Sequence, residues 1–77
     1  MHDKVLQLCV LHQGVEKFRT WILESELVPF LLEMKKDRYN MISFNKDVDL
    51  RVLKEENGVL ISLHYNNIKT IFLGDLI

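Results

Sequence analysis

Between Val48 and Leu73 the apolar and polar positions sort into two faces once two turns are placed, and they predict a three-stranded antiparallel meander. Asn57-Gly58 is a hairpin dipeptide, because a two-residue type I′ turn needs φ > 0 at both central residues. Asn66-Asn67 carries the same signal more weakly, since Asn tolerates the left-handed region better than most residues. Around the first turn Glu56 faces Val59, Lys54 faces Ile61, Val52 faces Leu63 and Leu50 faces Tyr65. Around the second, Tyr65 faces Ile68, Leu63 faces Thr70 and Ile61 faces Phe72. Residues directly opposite share a face. One face therefore collects Leu50, Val52, Val59, Ile61, Leu63, Tyr65, Ile68 and Phe72, an apolar set expected to form the core.

The other face collects Arg51, Leu53, Glu55, Leu60, Ser62, His64, Lys69, Ile71 and Leu73. It is mixed, whereas a solvated antiparallel face alternates more cleanly with its buried side. The reading is a contact surface for a protein partner or a second copy, with Leu53, Leu60, Ile71 and Leu73 at its centre and Arg51, His64 and Lys69 at its rim.

Upstream, the pattern reads as helical. Asp3 is a candidate N-cap, and Val5, Leu8, Cys9 and His12 share a helical face over residues 3–13. A strand there would leave both faces apolar, and Leu and Gln favour the helix. Gly14 can end it. A second helix spans residues 15–25, with Val15, Phe18, Trp21, Ile22 and Ser25 as its apolar stripe. Pro29 suits the first turn of a third, covering residues 30–38 with Phe30, Leu31 and Met34 inward. Met41 to Phe44 is a candidate fourth, edge strand, Asn45-Lys46-Asp47 is a turn, and Leu76-Ile77 is an apolar tail expected to dock. The predicted fold is α+β: two or three N-terminal helices packed on one face of a C-terminal three- to four-stranded antiparallel meander, in one domain over residues 1–77.

Composition narrows the function. The chain has 77 residues and begins at Met1, which reads as complete. Chains of this size rarely build a core worth more than about 3–5 kcal/mol without a staple. Cys9 is the single cysteine, so an intrachain disulfide is excluded and the reducing cytoplasm is the expected location. Self-association is the remaining common staple, so a homodimer is expected. The net charge of −1 is spread evenly and leaves no electrostatic footprint for nucleic acid or a membrane surface. No apolar run approaches the roughly 20 residues that span a bilayer.

Candidate chemistry is sparse. On a helix Cys9 and His12 share a face, but a site would need His2 or His64 as a third group, and no Cys/His cluster has zinc spacing. They read as a core thiol and a boundary residue. Asp47 with Asp49, and Glu55 with Glu56, read as solvated turn residues, and Lys35, Lys36 and Arg38 beside Tyr39 as dipole-complementing cations. Trp21 reads as core. Glycine-rich phosphate loops, G-x-S-x-G and H-E-x-x-H are missing. No catalytic residue, metal or cofactor is assigned. The sequence points to a small non-enzymatic protein-interaction module, a regulator, adaptor or inhibitor of the kind common in phage and mobile elements. The second reading is a winged-helix nucleic-acid regulator with Asn57-Gly58 at the wing tip, against which stand the charge and the acidic tip at Glu55-Glu56.

Overall fold

In a computed structural model, which describes residues 3–76 and Lys54 by its backbone alone, two antiparallel hairpins flank one helix. His2 and Ile77 lie outside the described residues. The strands are β1 (Val5–His12), β2 (Val15–Leu23), β3 (Met41–Glu56) and β4 (Val59–Phe72), and the helix α1 (Leu27–Lys36) joins β2 to β3. They form one four-stranded sheet in the order β2-β1-β3-β4, every neighbour antiparallel.

This overturns the α+β arrangement of several N-terminal helices on a meander. Among the described residues the protein is mostly antiparallel sheet with one α-helix. Residues 5–23 form a hairpin closed at Gln13-Gly14, with φ values of 52° and 80°. Gly14 supplies a left-handed turn position here and caps no helix. Strand periodicity is present in this stretch. Leu6, Leu8 and Val10 alternate with Val5, Gln7 and Cys9, and Phe18, Thr20 and Ile22 with Arg19, Trp21 and Leu23. What misleads is that both sets are partly apolar, so the period-2 pattern looks weak and the Leu-rich composition suggests a helix. Packing overrides propensity, because the inner set meets α1.

Asn66-Asn67, expected to be the second turn of the meander, is not one. It is an irregularity inside one continuous strand and turns nothing: β4 runs through it to Phe72 beside β3. Asn67 does take the left-handed conformation, at φ 53°, and its N–H donates to Asp49 Oδ1 at 3.0 Å. Opposite it, the β3 register shifts on both sides of Val48. Extra residues of this kind bend a strand and increase its twist. Met41–Phe44, expected at an edge, is instead the middle of the sheet, between Leu8–Leu11 of β1 and the end of β4. The Asn57-Gly58 hairpin has the predicted register from Leu50↔Tyr65 to Glu56↔Val59, and both turn residues have positive φ.

The core lies between α1 and one sheet face. Leu27, Leu31 and Met34 of α1 cover Leu8 and Val10, then Ile42, Phe44, Val48, Leu50 and Val52, and finally Ile71. Leu73 and Leu76, from a 3-10 turn at Leu73–Asp75 and the residue after it, close the top. Lys35 Nζ donates to the Leu76 carbonyl and holds that end down. With principal extents of 36 × 35 × 19 Å, the molecule is a two-layer slab. The helix shields one sheet face, and no described element shields the other.

Asn40 joins the two hairpins. Its N–H donates to the Leu11 carbonyl at 3.0 Å, its Oδ1 accepts the Gln13 N–H at 2.6 Å, and its carbonyl accepts the Leu73 N–H at 2.8 Å. Beside it Tyr39 meets Phe18 edge to face, with ring centroids 5.8 Å apart. At the opposite end Asp3 accepts hydrogen bonds from the N–H and hydroxyl of Ser25, tying the start of β1 to the approach of α1.

Candidate interaction surface

β1 pairs with β3 only as far as Phe44, so the remainder of β3, with β4, leaves the sheet as an arm. An open apolar groove of about 500 Å³ runs between this arm and α1. Val28 and Leu32 line it from the helix, Arg51, Leu53, Leu60 and Ser62 from the arm, and Val52 and Leu76 at its floor. The local causes are simple. The type I′ turn sets Leu53 beside Ser62 and Leu60 beside Glu55 on one face. In α1, Leu27 and Leu31 face the sheet, which leaves Val28 and Leu32, one residue further round, on a second stripe. The outward apolar side chains are substantially exposed: Leu32 by 43 %, Leu53 by 56 % and Leu60 by 64 %.

The seven residues assigned to a contact surface are dispersed. Arg51, Leu53 and Leu60 line the groove. His64 is exposed directly across from Arg51. Lys69 lies elsewhere, at a shallow cleft on the bare sheet face with Gln7, Cys9, Arg19, Trp21 and Asn45. Ile71 and Leu73 are corrected outright: they are 4 % and 0 % exposed and belong to the core. The cause is the missing Asn66-Asn67 turn, because a strand that runs on through an irregularity places Ile71 opposite Ile42, on the helix side. By the same shift Phe72, assigned to the core, is 60 % exposed beside Met41. Trp21, read as core, is 72 % exposed on the bare face. The sequence reading missed Val28 and Leu32. Their signal was available, since α1 is apolar on two stripes and one sheet face can cover only one.

The remaining chemistry falls apart in the fold. Three residues apart on a strand, Cys9 and His12 point to opposite faces. The Cys9 thiol lies 3.7 Å from Glu16 Oε1, and Arg19 pairs with the same carboxylate. The hydrogen bond from Arg19 holds the Glu16 carboxyl below the ordinary carboxylate range, against the opposing effect of desolvation and with lesser help from the Arg19 charge and the thiol. Lys35 is taken up by the Leu76 carbonyl and Tyr39 by Phe18, so the basic cluster does not present one surface. Among the described residues, no three His, Cys, Asp or Glu side chains converge as metal ligands would, and no helix is long and apolar enough to cross a membrane.

Compared with family models, curated proteins and solved structures, the chain matches none.

Proposed function

We propose that this protein is a non-enzymatic interaction module, a cytoplasmic regulator, adaptor or inhibitor that works as a homodimer and captures an apolar segment of a protein partner. The observation that carries this reading is the groove between α1 and the β3–β4 arm. Its lining is apolar from both sides, with Arg51 and Ser62 as the polar groups at its margin. Apolar side chains exposed side by side on two elements gain by being covered, at roughly 25 cal/mol per Å² removed from water. The Arg51 guanidinium suits a carboxylate or carbonyl on the partner. The lone, half-buried Cys9 thiol supports a reducing location.

Affinity capture with the protein and with its Leu32→Lys/Leu53→Lys variant tests this. Both substitutions fall on exposed positions, so the variant keeps its circular dichroism and melting behaviour. The partner held by the unaltered protein is lost from the variant. An identical set of proteins retained by both would show that the groove is not the contact.

A further inference from the structure

We infer that the second copy pairs through the free edge of β4, antiparallel and in register about Ser62, to give a continuous eight-stranded sheet. This rests on the reading of the protein as a homodimeric interaction module, and it names the surface and geometry of the self-contact.

Among the described residues the sheet leaves three long edges unpaired, β2, the β3 arm beyond Phe44 on its β1 side, and β4, besides the short start of β1 at Val5–Gln7 on its β3 side. Natural edges are guarded against further pairing by charge, by proline or by cover. β2 carries Glu16, Lys17 and Arg19 within nine residues. The β3 arm carries Asp49, Arg51 and Glu55, and α1 approaches it across the groove. By contrast, β4 has no Asp, Glu, Lys, Arg or Pro from Val59 to Ile68. It is the one long edge without a guard.

Hairpin geometry says which of its backbone groups are free. In a two-residue hairpin the residues flanking the turn exchange both hydrogen bonds, and the pattern alternates from there. Glu56↔Val59, Lys54↔Ile61, Val52↔Leu63 and Leu50↔Tyr65 are therefore the bonded pairs. The N–H and C=O groups of Leu60, Ser62 and His64 point away from β3, to the open side. This regular stretch is bounded by the Asn57-Gly58 turn and the Asn67 irregularity, and Ser62 is its midpoint.

A strand meeting three donors and three acceptors at alternate residues must offer the same spacing in the opposite direction. A second β4 does so about a two-fold axis at Ser62, which sets Leu60 against His64 of the copy and Ser62 against itself. All three free residues then bond in both chains. On the helix side, Val59 falls opposite Tyr65 and Ile61 opposite Leu63. Val59 is exposed and the other three are half-buried, so the core is open along this edge and the copy covers it. Cross-strand apolar pairs of this kind stabilise a sheet. No charged residue opposes a like charge in this register.

Sedimentation equilibrium of the intact protein, with a His64→Pro variant, tests the pairing. Proline at His64 removes an N–H that β3 does not use, and edge strands accept proline at such positions. The unaltered protein is expected to be a dimer at micromolar concentration, with a melting temperature that rises with concentration. His64→Pro is expected to keep its circular dichroism and sediment as a monomer. Leu32→Lys remains a dimer, because Leu32 lies on the helix wall of the groove and takes no part in the β4 edge, so loss of partner capture and loss of pairing are read independently. Orientation is tested in a Cys9→Ser background. Ser62→Cys places two thiols across the axis, where bonded antiparallel residues sit about 5.5 Å apart, within disulfide reach. Mild oxidation should yield a linked dimer from Ser62→Cys and none from Glu55→Cys. A monomeric unaltered protein, a folded His64→Pro that still dimerises, or no linkage at Ser62→Cys would each overturn the proposal. If His64→Pro does not fold, the linkage result decides.

Discussion

At the scale of single residues, backbone sign matters more here than side-chain chemistry. Gly58 sits at φ +79° with open space around its α-carbon, whereas Gly74 has equal space and no positive φ. A methyl group therefore meets no atom at either position, and only Gly58 pays in conformation. Gly58→Ala should lower stability by about 1–2 kcal/mol, and Gly74→Ala should leave it nearly unchanged, as urea unfolding followed by circular dichroism will report. Glu16 carries the clearest electrostatic signature. Its folded carboxyl is held below the unfolded value by Arg19, so its contribution is present above the ordinary carboxylate range and is lost as pH falls through the folded value. NMR titration of the Glu16 side chain should place its midpoint below that of an unperturbed glutamate, and Arg19→Ala should move it back up. Both side chains are exposed and solvent screens the pair, so the midpoint is the quantity to follow.

At the scale of elements, legibility tracked how many levels of the chain agreed. In the Asn57-Gly58 hairpin, turn chemistry and alternation point the same way, and the register from Leu50 to Tyr65 could be read from them. In α1, Pro29 and the Leu31–Met34 spacing agree, although the helix begins at Leu27, earlier than Pro29 suggests. In the first hairpin they conflict. Gln13 is an uncommon residue for a left-handed turn position, and Trp21 and Val5 put apolar side chains on a bare face, so alternation is masked. At Asn66-Asn67 the left-handed preference of Asn was legible, but whether it turns a chain or kinks a strand depends on the partner strand. Asp49 supplies that information by accepting the Asn67 N–H. Asp49→Ala should cost about 0.5–1.5 kcal/mol and speed amide exchange at Asn67, while amides flanking Asn57-Gly58 stay protected.

At the scale of the whole molecule, one helix covering one face of a four-stranded sheet explains which groove-lining residues could be read from the sequence. Arg51, Leu53 and Leu60 were legible because they belong to the hairpin whose register was read correctly. Ile71 and Leu73 were not, because their facing depends on how β4 passes Asn67 and on how the C-terminal turn folds back under α1. Val28 and Leu32 were legible as a second apolar stripe on α1, but what that stripe faces depends on where the β3–β4 arm runs. The bare face, with Trp21 at 72 % exposure, shows that apolar composition does not report burial in a slab this thin.

The three backbone and side-chain bonds of Asn40 have a consequence for how the molecule comes apart. Each hairpin closes through its own local turn, and at the end of the β1–β3 ladder that joins them Asn40 bonds to the first hairpin and also secures the start of the C-terminal 3-10 turn. Opening there releases distant parts of the sequence together. In Asn40→Ala the Gln13 N–H loses its acceptor, and hydrogen exchange at Gln13 and at Leu73, sixty positions apart, should quicken in step, as it would if one latch served two doors.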